Sequence, residues 1–235
     1  MPRNPASEAA FRLWVWCLPV VFAFAAMARA QENLKNVLNQ MDAAAKDFRT
    51  TQANFTWTEY NSVINDISDT QTGKIYFRRS GKEIQMAANI MQPDNRQVIF
   101  TGGKIQVVQP KTDTVDVYDA GAHREEFESF LVLGFGGGGH DMLKSFEVKY
   151  LGDEKIAGVD TAKLDLVPKA EKVRQSFPHI ILWIDPRRGL SIQQQLFQTS
   201  GDYRLAKYSD FQINQRIPDT VFKPRTTART KIVSH

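Results

Sequence analysis

The chain has one cysteine in 235 residues, Cys17, and only four histidines. Cys17 lies in an apolar run near the N-terminus, so no disulfide can brace the residues beyond it. His123, His140, His179 and His235 fall at no spacing that binds a metal. Neither an HExxH helix nor a GxSxG serine turn occurs. Carboxylate pairs such as Glu125-Glu126 read as a solvated helix face, not as general acid and base. No enzyme chemistry and no cofactor is expected. After residue 30 nothing is apolar for the ~20 residues a spanning helix needs. An excess of one charge is lacking too. Taking Arg3, Arg12, Arg29 and Glu8 from the 30 basic and 26 acidic residues leaves 27 and 25. That balance excludes a nucleic-acid footprint. Basic residues are scattered except at the end, where Lys223, Arg225, Arg229 and Lys231 follow Asp219 with no acid between them.

What is present begins with a leader. Arg3 and Arg12 precede "LWVWCLPVVFAFAAMARA", a basic start, an apolar stretch and a small-x-small ending at Ala28 and Ala30. This describes a secretory signal peptide over 1–30, cleaved before Gln31, with one domain at 31–235 in the periplasm. Trp16 before Cys17 and Leu18-Pro19 after it do not fit a lipid-attachment site.

Residues 32–48 place Leu34, Val37, Leu38, Met41, Ala44, Ala45 and Phe48 at steps of three and four, which predicts an amphipathic helix. The period then changes to two. "ANFTWTEY", "TGKIYFRR", "KEIQMAA", "RQVIF", "IQVVQ" and "TVDVYD" read as short strands between Gly, Pro, Asp and Asn turns. A second helical patch is expected over 123–133. Strands resume through "FEVKY", "AKLDLV", "IILWID", "LSIQQQLF" and "YRLAKYSDF" to a final strand near "RTKIV". The fold class is mainly β, in an α+β arrangement: a curved, mostly antiparallel sheet of about eleven strands covered by helices.

Between the second helical patch and the later strands lies "LVLGFGGGGHDMLKS", with Gly134 and then Gly136, Gly137, Gly138 and Gly139. No lysine and hydroxyl follow as a phosphate loop requires. The glycines are read as a helix end and a sharp bend or hinge. The remaining candidates are apolar. Phe55, Trp57, Ile75, Phe77, Ile84, Met86, Phe100, Val107 and Val117 from strands, with Phe127, Phe130 and Leu131 from the second helical patch, form either a packed core or the lining of a hydrophobic ligand cavity.

The order of these parts resembles the LolA-like family of periplasmic lipoprotein carriers. The resemblance rests on the leader, the helix ending "AAAKDF", the strand "ANFTWTEY", "GKIYFRRSGK", "FTGGKIQVVQPKTDTVDVYD", "IILWIDP" and "YSDFQINQRIPDTVFKP". Ser80 stands where that family usually has proline, and the four-glycine loop departs from its pattern. The resemblance implies an incomplete β-barrel whose cavity shields acyl chains and moves them towards the outer membrane. Acylated lipoproteins or lipids are the implied ligands. An inner-membrane lipoprotein-releasing transporter and an outer-membrane acceptor are the implied partners of a monomer. It also implies that Arg79 latches a lid by hydrogen bonds to carbonyls, with the glycines as the lid's hinge. A non-catalytic envelope sensor or interaction module on the same fold is the alternative.

Overall fold

The computed structural model describes residues 29–81, 83–119, 121 and 133–235. Residues 1–28 of the expected leader, and most of the helix expected over 123–133 with Phe127, Phe130 and Leu131, lie outside the described residues. The first helix is observed as α1 (29–47). It buries Val37, Leu38, Met41 and Ala45, the spacing of one helical face, and Phe48 follows just past its end.

Among the described residues twelve strands follow in one sheet: β1 (Thr50–Asn61), β2 (Asp66–Ser80), β3 (Glu83–Gln92), β4 (Arg96–Thr101), β5 (Lys104–Gln109), β6 (Thr114–Asp119), β7 (Phe146–Ile156), β8 (Val159–Pro168), β9 (Ile180–Asp185), β10 (Leu190–Phe197), β11 (Tyr203–Ile213) and β12 (Lys231–Ser234). Among the described residues two short helices interrupt them, α2 (Gly139–Ser145) and α3 (Glu171–Ser176). The order is β12-β6-β5-β4-β3-β2-β1-β11-β10-β9-β8-β7, an open sheet with β12 and β7 at its edges. The strand near "RTKIV" is thus real, but it pairs with β6 in parallel while every other pair is antiparallel.

Register decides which side chains share a face. One row runs Trp57↔Ala206 and Ala206↔Gln194↔Leu182↔Leu164 across β1, β11, β10, β9 and β8. Another runs Phe77↔Met86↔Phe100↔Ile105 across β2 to β5. Both rows lie on the inner face, which carries α1. Over β7–β9, Val37 and Met41 of α1 close a core with Leu164, Leu166, Leu182 and Ile184. Over β1–β4 and β11 the cover is different: Phe48 and Phe135 pack on Phe55, Ile75, Phe77, Phe100 and Tyr208.

The outer face is covered by the C-terminal tail. Ile217 and Phe222, around a 3-10 turn at Asp219–Phe222, pack on Ala87 and Ile99. Gln97, buried among them, donates to the Val221 carbonyl (3.1 Å) and accepts from the Arg225 N–H (3.3 Å). Val117 belongs to this side, because its row is Val117↔Gln106↔Ile99↔Ala87↔Tyr76. Its assignment to the inner apolar set is therefore corrected. Alternation was right for β6, but the face was inverted.

Candidate functional site

The sheet and the glycine-rich loop bound a partly open cavity of about 230 Å³ on the inner face. Trp57 on β1, Ile75 and Phe77 on β2, Met86 on β3, Leu196 on β10, and Ala206 and Tyr208 on β11 line it together with Phe135 from the loop. Gln194 and Arg204 are its polar lining residues. The apolar lining follows from period-two patterning: strand residues two apart point the same way. Phe55 stacks on Trp57 at 4.1 Å between centroids and supports it from behind.

Phe135 sits at the centre. Its ring stacks on Phe77 (4.2 Å, 16° between planes) and meets Tyr208 edge-on (4.9 Å, 87°). Its backbone bridges Leu190, and the Gly134 carbonyl accepts from Ser191 N–H at 2.7 Å. The Gln194 amide donates to the Leu133 carbonyl (2.6 Å), and the Tyr208 hydroxyl donates to the Gln194 oxygen (3.3 Å). Burial pushes the Tyr208 phenol far above the usual tyrosine range, so it stays neutral and donates.

The glycines have a steric reason that sequence spacing did not carry. Gly134 and Gly136 hold left-handed backbone (φ +75° and +78°), and Gly134 lies against Ser191. A Cβ at Gly136 would stand 2.3 Å from the Phe48 ring, and one at Gly139 would stand 2.4 Å from the Leu38 carbonyl. These three glycines permit close approach, a reason for glycine that does not depend on motion. Gly137 and Gly138 lie between them, half-buried.

Arg79 donates to the carbonyls of Ala45 (2.8 Å) and Gly136 (2.7 Å), and its guanidinium lies 5.6 Å from the Phe48 ring centre. It ties the end of α1 to the glycine loop. Beside it an open groove of about 540 Å³ is bordered by Asp42, Lys46, Ile84 and Asp141. Asp42 accepts from both the backbone and the ring of His140. Burial acts to raise the Asp42 pKa, but these bonds and one from the Gly139 backbone together lower it.

Of the expected apolar set, Trp57, Ile75, Phe77 and Met86 line the cavity. Phe55 and Phe100 are buried beneath it in the same core, and Ile84 borders the Arg79 groove. Val107 shares the inner face through its pair with Val98 but does not line the cavity. Sequence reasoning missed Phe135, Gln194, Leu196, Arg204, Ala206 and Tyr208. The alternation Arg204-Ala206-Tyr208 was visible, yet only the long-range pairing of β11 with β1 makes it a wall. The described residues hold no cluster of three His, Cys, Asp or Glu able to bind a metal. No helix among them is long and apolar enough to cross a membrane.

Residues 33–226 match the family model of the MucB/RseB N-terminal domain. The chain belongs to that family. No curated protein matches it. Among solved structures, MucB aligns at a TM-score of 0.52 and 14% identity, covering 86% of this chain and 66% of that one. This chain therefore spans just under two thirds of the MucB structure. MucB from Pseudomonas aeruginosa has also been solved in complex with MucA. An uncharacterized conserved protein from Thermus thermophilus aligns at 0.55 and 9% identity, covering 86% and 98%. A LolA superfamily protein from Nitrosomonas europaea aligns at 0.39 and 13% identity, covering 80% and 96%. The family shown is MucB/RseB; membership of a lipoprotein-carrier family is not shown.

Proposed function

We propose that this domain is a non-catalytic envelope sensor or interaction module that takes part of an acyl chain, from a lipid or an acylated protein, into the Trp57–Tyr208 cavity. The leader-like first thirty residues support a periplasmic location. The observation that carries the reading is a 230 Å³ space walled by aromatic and aliphatic side chains, with Gln194 and Arg204 as its polar members. An apolar cavity of ~150 Å³ stays dry and admits benzene, so a larger one accepts a short run of methylenes. Each methylene withdrawn from water contributes ~0.8 kcal/mol. Five of them contribute roughly 4 kcal/mol, about a thousandfold in affinity.

Size also separates the two readings. A carrier of triacylated lipoproteins must cover three chains, and this space suits part of one. Family membership and the solved MucA/MucB complex support a module that reports to a protein partner. The test is native mass spectrometry of the protein recovered from the periplasm, followed by organic extraction. A bound lipid or acylated protein is expected. A clean apo mass, with no uptake of added fatty acid, removes the cavity from function. Transfer of bound acylated protein to acceptor vesicles would restore the carrier reading.

A further inference from the structure

The β1–β2 turn inverts the usual composition of a hairpin tip. Val63 is 89% exposed and Ile64 62%, in a turn where polar residues are expected. The tip is held firmly. The Asn61 side-chain oxygen accepts from the backbone N–H of Val63 (2.9 Å) and of Ile64 (3.2 Å). Asp202, on the neighbouring β10–β11 turn, accepts from the Ser62 backbone (2.7 Å) and hydroxyl (2.8 Å). Two turns are thus knit together, and the pair of branched apolar side chains is presented in a fixed pose.

Behind the tip stands an aromatic layer. Tyr60 stacks on Tyr203 at 4.7 Å, Phe197 lies 5.8 Å from Tyr203, and His179 stacks on Phe197 at 4.2 Å. Ile67 on β2, 46% exposed, pairs with Tyr60 on β1. An apolar point backed by tyrosines is the arrangement that suits a lipid–water interface. The nearby charges are mostly acidic: Glu59, Asp66, Asp69 and Asp202, against Arg204. That favours an uncharged or zwitterionic surface over an anionic one. The placement connects with the cavity, because its lining residues Trp57 on β1, Leu196 on β10 and Arg204 on β11 adjoin these turns. Trp57 lies six residues from Val63, at most about 20 Å along an extended strand.

We infer that the β1–β2 hairpin tip docks into the surface of a zwitterionic lipid bilayer and brings the mouth of the cavity to the membrane. The purpose of this docking rests on the acyl-chain reading, but the test does not. Chain 31–235 lacks cysteine, so an environment-sensitive dye can be placed at Val63→Cys, with Ala157→Cys at the far end of the sheet as the control. Mixed with phosphatidylcholine vesicles, the dye at 63 should shift to the blue and the dye at 157 should not. Unlabelled protein should float with the vesicles. Val63→Asp with Ile64→Asp should lower the floated fraction at least tenfold and leave uptake of soluble fatty acid unchanged. Adding phosphatidylglycerol should weaken flotation. Failure of the wild type to float, or equal flotation of the double variant, overturns the proposal and returns the tip to a protein partner. Flotation through the tip without fatty-acid uptake keeps the anchor and removes the cavity reading.

Discussion

Replacing Gly136 by alanine separates packing from motion at the glycine loop. The backbone there has φ +78°, a left-handed conformation that an L side chain occupies at a penalty of ~1–2 kcal/mol. The new Cβ would stand 2.3 Å from Cγ of the Phe48 ring and 2.4–2.5 Å from both Cδ atoms. Phe48 is 3% exposed and belongs to the inner core, so it cannot swing away freely. Forcing a methyl into such a place adds ~1–3 kcal/mol. The sum is roughly 2–5 kcal/mol, a large share of a domain's ~5–15 kcal/mol. Gly138 provides the comparison: its backbone is ordinary (φ −66°) and its nearest neighbours are carboxylate oxygens of Asp141 and Asp42 at 3.0 Å. Gly138→Ala should change stability by under about 1 kcal/mol. Urea unfolding of the two variants reads the difference. If Gly136→Ala unfolds within about 0.5 kcal/mol of the wild type, close packing is not why glycine stands there, and the hinge reading returns.

Phe135→Ala should destabilise by ~3–5 kcal/mol, because it removes the ring held between Phe77 and Tyr208; calorimetry or denaturation measures it. Arg79→Lys keeps the charge but cannot span the Ala45 and Gly136 carbonyls, and thermal melting should show a loss of ~1–3 kcal/mol. Asp42 gives a pH dependence. Its pKa in the folded protein lies below 3.8, so its contribution is complete above that value and is lost as pH falls through the folded value. Asp42→Asn should therefore lower stability at neutral pH and flatten the acid limb below pH 3.8, so that the two urea-unfolding curves converge at the lowest pH. Gln97→Leu should free the C-terminal tail, which hydrogen exchange at Val221 and Arg225 detects as faster exchange.

The helix at 29–47 and the strand sequence were legible because both are periodic, and one face of each is buried against the same core. Faces were less legible. Val115 and Val117 alternate as expected, yet nothing local says whether the row of Val117 meets Phe100 or Ile99; only pairing from β6 through β5 to β4 decides it. The cavity was half visible for the same reason. Its β1–β3 wall lies in consecutive hairpins, while its β10–β11 wall comes from residues far later in the chain. The glycine run was conspicuous but its cause was not, since the atoms that exclude a Cβ belong to Phe48, Leu38 and Ser191. Phe135, a single aromatic set among those glycines, was the available clue.

The most direct test of the acyl-chain site is quenching of Trp57 by a brominated fatty acid. Chain 31–235 keeps two tryptophans, and Trp183→Phe leaves Trp57 alone; Trp183 sits on the outer face, bonded to Glu154. The account predicts saturable quenching of Trp57 that is abolished when Ala206→Phe fills the cavity in a variant that still melts cooperatively. Absence of quenching, or quenching that survives the filled cavity, would contradict it.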